Sequence, residues 1–444
     1  MTEFEIPDAE TMEDVNDIDI EAFPQFAFVE RHRNPPQIDD VTAATRETVG
    51  DIPAFDELPA GAEVAITAGS RGIHDMPELI EAAVTELQDR GFEPFVFPAM
   101  GSHGGATPEG QRGVLAEYGI TEERLDCEIR DSMAVESVTE DAVGRPVPVS
   151  TVALDADAVL VANRVKLHTD FRNEIESGLT KMTVVGLGKQ RGAEEMHNAA
   201  IDRGLDTVVQ ERADLIFQHV PVVGGIALVE NARDRAAHIE GVAVEDIPGR
   251  EPELLERSKR LFPGLPVDQL DVLIVDEIGK DVSGTGMDTN VVGRYNFLDE
   301  EEPEKPDVRR IYLRGITDVS HGNGIGMGLA DFVHENVVET VNLTDTYLNT
   351  VTSGEPSRAF IPMISPSDRT ALLLAYSMTG VRDPADLRIG YIKNTLEPDE
   401  LYVSEPVARE LLERDDIDVG GHRELAFDGG GDFAFGFEDR DGKK

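Results

Sequence analysis

Short apolar runs that alternate with stretches of helical periodicity are the feature that most restricts how this chain can fold. EVAITAG (63–69) and EPFVFPAM (93–100) are each the length of one buried strand. A helical pattern follows each of them, one beginning after a capping Asp75 and the other at Thr107-Pro108. Strands that alternate with helices in this way predict an α/β fold with largely parallel, Rossmann-like sheets.

The length of 444 residues and a change in composition predict two such domains. Pro263, Gly264 and Pro266 precede a second series of strands that starts with LDVLIVDEI (270–278), so we place a boundary near 265. We expect an acidic N-terminal arm packed on the first domain over 1–60, an α/β domain over 61–265 and a second α/β domain over 266–444. Further helices are predicted over 204–218, 328–338, 344–353 and 405–414.

The charge balance excludes several classes of partner. The chain has 88 acidic and 40 basic side chains, a formal net charge of −48, which disfavours binding to nucleic acids and to anionic membranes. Because the acidic residues are spread along the whole chain, they favour a solvated surface adapted to high salt over an acidic binding face. A single cysteine, Cys127, excludes an intramolecular disulfide and Cys-rich metal sites. With no long apolar run and no signal-peptide pattern at the N-terminus, a soluble cytoplasmic protein is expected.

Glycine-rich loops after two of the predicted strands carry candidate functional side chains. Arg71 follows strand 63–69, where it could pair with a carboxylate or be an exposed turn residue. His103 stands between Gly101-Ser102 and Gly104-Gly105, next to the start of a predicted helix. There the histidine could transfer a proton near neutral pH, or it could hydrogen-bond to the backbone of the turn.

The segment 166–197 is the richest in candidate ligands. It holds His168, His197 and three of the nine lysines of the chain, Lys166, Lys181 and Lys189. Two histidines and a lysine around a glycine-rich turn could bind a borderline metal with help from a cofactor, or they could form a polar turn. The nearest approach to a dinucleotide-binding glycine motif, Gly186 to Gly192, is one residue too long.

A second glycine-rich loop lies in the C-terminal half of the chain. Lys280 follows strand 270–278 within GKDVSGTGMD, where it could hold an anionic substrate group or belong to a structural loop. His321, in Ser320-His321-Gly322-Asn323-Gly324, is a similar but weaker candidate. The remaining histidines are read as structural or surface residues, with His74 the strongest exception because it lies close to Arg71 in the sequence.

The segment Ser177-Gly178-Leu179-Thr180-Lys181, with His197 sixteen residues after the lysine, resembles the nickel-dependent lactate racemase family. These enzymes use a nickel-pincer nucleotide. The resemblance implies that Lys181 is the covalent attachment point of the cofactor and that His197 is a nickel ligand. Lys189 is a second possible attachment site.

The same resemblance assigns roles to four further residues. It makes His103 and His168 the catalytic bases, and Arg71 and Lys280 the substrate-binding residues. The active site would lie in the cleft between the cofactor-binding domain (61–265) and a second domain that closes over the substrate. The 13-residue spacing from His168 to Lys181 and the Lys-Leu-His-Thr-Asp-Phe-Arg sequence around His168 differ from the lactate enzymes, which indicates a divergent branch.

The implied activity is the racemisation or epimerisation of a 2-hydroxy acid, either lactate-like or a sugar acid. One histidine takes the hydroxyl proton while hydride moves from Cα to the cofactor, and the other histidine serves the opposite enantiomer. The implied partners are the small hydroxy acid and, in transient contact, proteins of cofactor biosynthesis. Two alternatives stay open: a nicotinamide-dependent oxidoreductase on a similar scaffold, and a non-catalytic protein that binds nickel or a nucleotide.

Overall fold

The computed structural model of the chain describes residues 6–14, 18–69, 72–169, 171–296 and 301–437. The chain forms two compact units. The first unit comprises Pro35–His168 and Asn173–Phe262, and the second comprises Met1–Asn34, Thr169–Arg172 and Pro263–Lys444. Among the described residues, no helix has the length and apolar character needed to cross a membrane.

The strands in the described residues, in chain order, are β1 Phe26–Arg31, β2 Glu63–Ala68, β3 Glu93–Pro98, β4 Val135–Glu140, β5 Pro146–Ser150, β6 Ala158–Arg164, β7 Val222–Glu230, β8 Ala236–Ala243, β9 Gln269–Val275, β10 Asp307–Leu313, β11 Phe332–His334, β12 Met363–Ser365, β13 Ile389–Ile392, β14 Glu400–Ser404 and β15 Ile417–Arg423.

The α-helices are α1 Ala9–Glu13, α2 Val41–Gly50, α3 Met76–Asp89, α4 Pro108–Glu117, α5 Glu122–Leu125, α6 Thr151–Leu154, α7 Leu179–Lys181, α8 Lys189–Arg203, α9 Leu205–His219, α10 Ile247–Leu261, α11 Thr289–Val292, α12 Glu335–Thr340, α13 Leu343–Ser353, α14 Asp368–Ser377 and α15 Glu405–Leu411. A π-helical turn, Met182–Gly186, connects α7 to the start of α8. Short 3-10 turns occur at Ile20–Ala22, Pro53–Glu57, His103–Ala106, Val244–Asp246, Asp318–Ser320, Met327–Leu329, Pro356–Ala359 and Pro384–Asp386.

The first unit is built on a five-stranded sheet in the order β3-β2-β6-β7-β8. The first four strands are parallel, and β8 pairs antiparallel with β7 at one edge. Apolar clusters cover both faces of this sheet, which is why β2 and β3 appear in the sequence as continuous rather than alternating apolar runs. β4 and β5 form a separate antiparallel pair.

The second unit is built on an eight-stranded sheet in the order β12-β11-β10-β9-β13-β14-β1-β15. Its first five strands are parallel, and the last three run antiparallel to their neighbours. The predicted α/β class with largely parallel sheets is therefore confirmed.

The N-terminal residues differ from the expected arm over 1–60. β1 pairs with β14 and β15 inside the sheet of the second unit, so residues up to Asn34 belong there rather than to the first domain. Pro24 precedes this strand and Pro35 follows it, so the prolines of the N-terminal residues do not interrupt the pairing. Residues from Pro35 to about 60 do join the first unit, where α2 packs beside α3.

Two local predictions also need correction. Asp75 stands at the start of α3 but makes no capping hydrogen bond; its buried carboxylate accepts one from the backbone N of Ala236 at 2.6 Å instead. The helix predicted over 328–338 is interrupted by β11, because Phe332–His334 pairs in parallel with β10 and β12. Sheet pairing with distant strands overrides the local helical periodicity at this place.

Candidate functional site

The carboxyl ends of the parallel strands of the first unit gather most of the predicted site residues. β2 is followed by β3 on one side of the sheet and has β6 on the other, so the strand order reverses between β2 and β6. In open α/β sheets, ligands bind at the carboxyl ends of the strands next to such a reversal. His103 follows β3 and His168 follows β6 at this edge of the sheet.

His168 and Lys181 are in direct contact. Nζ of Lys181 hydrogen-bonds to Nε2 of His168, and both side chains are partly buried. Because an ammonium has no lone pair, a protonated Lys181 must donate and Nε2 of His168 must accept. In this arrangement Nε2 is the acceptor nitrogen of the imidazole, and it points towards Lys181.

The loop between these two residues is closed by its own backbone. Lys166 and Ser177 exchange hydrogen bonds, with N of Lys166 to O of Ser177 at 2.9 Å and the reverse bond at 3.2 Å. The buried carboxylate of Glu176 accepts from the backbone N of His168 at 2.6 Å. The chain between His168 and Lys181 therefore forms a closed loop, and the two ends of this loop lie next to each other.

The turn that carries Lys181 is held from two sides. Nδ2 of Asn163, in β6, donates to O of Gly178 at 2.9 Å. On the other side, Oε2 of Glu251, in α10, accepts from the backbone N of Thr180 at 2.9 Å and from its hydroxyl. A Cβ at Gly178 would overlap Oε1 of Glu251, so any larger residue there would have to displace this carboxylate. Burial raises the pKa of Glu251 to about 7.

His197 lies on α8, close enough to Lys181 for the charge of the lysine to act on it. Desolvation by the surrounding protein lowers the pKa of His197, and the nearby Lys181 ammonium lowers it further. The residue as a whole is nevertheless exposed to solvent. A histidine that stays neutral at neutral pH is in the protonation state that binds transition metals.

His103 opens the 3-10 turn after β3, and its side chain is exposed. Gly104 and Gly105 have φ values of 62° and 66°, and a Cβ at Gly104 would overlap the backbone of Gly110. The helix α4 begins at Pro108, where the sequence predicts a helix start, and the hydroxyl of Thr107 caps it by accepting from N of Gly110 at 3.1 Å. The loop therefore presents His103 to solvent from a tightly packed backbone.

Lys189, the other possible attachment site, is in a different environment from Lys181. Its side chain is fully buried, and Nζ donates to O of Pro98 and to Oε1 of Gln111 at 3.4 Å. Burial lowers the pKa of Lys189 to about 8. A buried amine with two protein acceptors is poorly placed to react with a nucleotide cofactor.

The two predicted substrate-binding residues are not among the described residues of the first unit. Arg71 lies outside the described residues. Lys280 belongs to the second unit, where its Nζ donates to O of Gly284 at 2.8 Å and to Oδ1 of Asn349 at 3.5 Å. Its role in substrate binding stays a prediction.

Comparison with known proteins gives weak similarities only. No protein-family model matches the chain, and no curated protein matches it. Two solved structures are similar in part. A structural genomics target from Thermotoga maritima has 14% identity and a TM-score of 0.46, over 64% of this chain and 71% of that chain. The lactate racemase apoprotein from Thermoanaerobacterium thermosaccharolyticum has 10% identity and a TM-score of 0.44, over 86% of each chain. Similarities at this level carry no functional conclusion.

Sequence reasoning missed three supporting residues of this edge: Asn163, Gln111 and Glu251. Each is a polar side chain that serves the backbone of a loop distant in the sequence, and no local pattern marks such a role. It also missed the ion pair of Arg164 with Glu230, at the carboxyl ends of β6 and β7. Burial raises the pKa of Glu230, while the Arg164 guanidinium opposes that rise.

A second cluster of metal-ligand types lies in the second unit, at His334, Asp368 and Asp432. Both oxygens of Asp368 are occupied, by a bidentate pair with Arg314 at 2.8 and 2.9 Å and by the backbone N of Phe433 at 2.8 Å. Nε2 of His334 contacts Asp432 at 3.0 Å, and Nδ1 accepts from a backbone N–H. These contacts hold the C-terminal segment in place through Asp432 and Phe433. They leave few lone pairs with which the cluster could bind a metal ion.

Proposed function

We propose that this protein is a racemase or epimerase of a 2-hydroxy acid that uses a nickel-pincer nucleotide attached through Lys181 and ligated by His197. The observation that carries the proposal is the contact between Nζ of Lys181 and Nε2 of His168, with His197 beside the lysine. A residue able to tether the cofactor, a residue able to ligate its metal and a candidate base thus stand at one edge of one sheet.

The donor set fits such a group. Imidazole nitrogen suits nickel, and the lowered pKa of His197 keeps the lone pair of one ring nitrogen available at neutral pH. Lys181 is only partly buried, whereas Lys189 is fully enclosed, which favours Lys181 as the attachment point. The predicted role of Arg71 in binding the substrate carboxylate is kept as part of the proposal.

The side chains of this chain have defined tasks in the proposed reaction. When bound, the cofactor would supply the acceptor for the hydride of the substrate Cα. Attachment of the cofactor to Lys181 would end the donation from its ammonium to Nε2 of His168, and Nε2 would then take the hydroxyl proton of one enantiomer. His103 would take the hydroxyl proton of the other enantiomer, since the two enantiomers present that hydroxyl on opposite sides. For net interconversion, the histidine opposite the one that took the hydroxyl proton, in its protonated form, would give a proton to the oxygen when hydride returns to the other face of the carbonyl carbon.

The test is to measure intact mass, nickel content and turnover on one preparation from a salt-tolerant host that makes the cofactor. We expect an added nucleotide mass, about one nickel per chain, and interconversion of enantiomers of a 2-hydroxy acid by chiral chromatography. Lys181→Ala should lose the added mass, and Lys259→Ala, at a partly exposed position of α10, should keep it. His168→Asn should keep the mass and lose turnover, and the exposed His219→Gln should keep both.

The alternatives give different results in the same experiment. An unmodified mass without nickel, together with a rise in melting temperature on adding NAD or NADP, would favour a nicotinamide-dependent oxidoreductase. Bound nickel without any interconversion across a panel of hydroxy acids would favour a binding protein.

A further inference from the structure

Lys189 has a backbone conformation that glycine adopts more easily. Its φ is 55°, in the left-handed region, although glycines stand close by at positions 188 and 192. A left-handed conformation at a residue with a side chain costs about 1 kcal/mol or more. The side chain of Lys189 must therefore make contacts that offset this cost.

Those contacts are unusual for a buried charge. The ammonium is fully enclosed, and its hydrogen-bond acceptors are both neutral: O of Pro98 and Oε1 of Gln111. It lies 5.8 Å from the centre of the Phe97 ring, and Asp131 is the negative charge that acts on it. Phe97 and Pro98 are the last two residues of β3, so the lysine is anchored at the point where the His103 loop begins.

Gln111 extends this anchor into the loop itself. With Oε1 directed at Lys189, its Nε2 donates to the carbonyl oxygens of Gly101 at 2.9 Å, Met100 at 3.3 Å and His103 at 3.5 Å. Gln111 is fully buried in α4. The hydrogen bond from Lys189 to Oε1 sets the orientation of the Gln111 amide. Nε2 of that amide then donates to three carbonyl oxygens of the loop.

We infer that Lys189 is a positioning residue, whose buried ammonium acts through Gln111 to fix the loop that carries His103. The inference concerns the chain without cofactor. Its consequence for catalysis rests on the proposed function, in which His103 serves one enantiomer. Lys189 would then control that half of the reaction without contacting the substrate.

The first test is hydrogen–deuterium exchange on the cofactor-free protein. In Lys189→Met, which keeps the length of the side chain and removes the donor, amides of residues 101–106 should exchange at least about tenfold faster, since a charged hydrogen bond is lost. The turn around Lys181 should exchange as before. In the control Lys181→Met, the His103 loop should be unchanged. Unchanged exchange of the loop in Lys189→Met overturns the inference whatever the protein catalyses.

Gln111→Glu gives an independent measurement if Lys189→Met does not fold. A carboxylate can keep the contact with Lys189 but cannot donate to the three carbonyls, so loop exchange should again rise. If the loop amides of a folded Gln111→Glu variant are as protected as in the wild type, Lys189 does not act on the loop through Gln111.

The cofactor-loaded enzyme supplies a readout that general destabilisation would not give. Lys189→Met should keep the added mass and nickel, lower kcat more than it raises KM, and slow single-turnover oxidation of one enantiomer only. Equal slowing of both enantiomers, or loss of the added mass, overturns the inference, and the latter would make Lys189 the attachment site. If the wild type carries no cofactor while loop exchange responds as expected, the positioning role stands and the proposed function fails.

Discussion

Nε2 of His168 and Nζ of Lys181 are hydrogen-bonded across the mouth of a loop whose ends are joined by Lys166 and Ser177. The contact couples the two residues electrostatically, because the protonation of one determines what the other can donate or accept. The same ammonium also acts on His197. The ammonium of Lys181 therefore interacts with both candidate histidines of this segment, His168 and His197.

Removing that charge should change the titration of His197. In Lys181→Met, we expect the pKa of His197 to rise towards its ordinary value, because one of the two causes that lower it is gone. Burial remains, so the rise should be partial. The measurement is the pH dependence of the His197 ring signals by NMR on the cofactor-free protein. Lys259→Met is the matched control and should leave them unchanged; an unchanged His197 in Lys181→Met would show that the two residues do not interact in solution.

The elements around this site could be predicted from the sequence, but the contacts between them could not. β3 and α3 follow from an apolar run and a 3.6-residue periodicity, both of which are local. The contact of His168 with Lys181 depends on the backbone pair that closes the intervening loop. Burial of Lys189 is equally non-local, because a lysine in a glycine-rich stretch is normally exposed.

Gly178 gives a direct test of the packing under the Lys181 turn. Gly178→Ala should lower the free energy of unfolding by about 2–4 kcal/mol, because its Cβ would displace the Glu251 carboxylate that holds the start of α7. The control is Gly113→Ala in α4, where a Cβ meets nothing and the helix should gain up to about 1 kcal/mol. Urea unfolding at constant salt measures both, and equal stability of the two variants would rule out the predicted overlap.

The buried carboxyl of Glu251 should make stability depend on pH near neutrality. Its pKa is about 7 in the folded chain against an ordinary 4.5, so the folded state binds the proton more tightly. The contribution of Glu251 to the free energy of unfolding is therefore greatest below pH 4.5. This contribution falls by about 3 kcal/mol as the pH rises to 7. Glu251→Gln removes this dependence.

The expected result is a stability difference, Glu251→Gln minus wild type, that moves in favour of the variant between about pH 5 and pH 8. The exposed Glu253→Gln, on the same helix, is the control and should show no such trend. Urea unfolding at several pH values, in one salt concentration, measures the difference. A difference that is constant with pH would place the titration of Glu251 outside this range.

The C-terminal segment shows why the N-terminal residues were misplaced. Residues 425–437 carry buried phenylalanines that pack on Phe26 of β1 as well as on the sheet, so both chain ends contribute to one core. Because this core forms only where the two ends of the chain meet, neither end alone has a sequence pattern that predicts it. Residues 1–60 are acidic and contain several prolines, and this composition does not indicate the six-residue strand among them.

Phe435 tests that shared core. Its ring lies 5.8 Å from Phe26 and 5.1 Å from Tyr402, and 5% of the side chain is exposed. Phe435→Ala should lower the stability of the second unit by about 3–5 kcal/mol. Phe360→Ala, with 62% exposure, should change it by less than about 1 kcal/mol. Exchange protection of β1 should fall in the first variant only; retained protection would mean that the C-terminal segment does not stabilise β1.

The net charge of −48 predicts a strong dependence of stability on salt. At about 0.1 M salt, charges act over about 10 Å, and at about 1 M over about 3 Å, so repulsion among the acidic side chains is largely removed at the higher concentration. We expect the melting temperature to rise continuously as KCl increases from about 0.1 M to 2 M. Sucrose at matched osmolality is the control, because it favours the folded state without screening charge. An equal rise in sucrose, or a fall in KCl, would show that charge repulsion does not limit the stability of this protein.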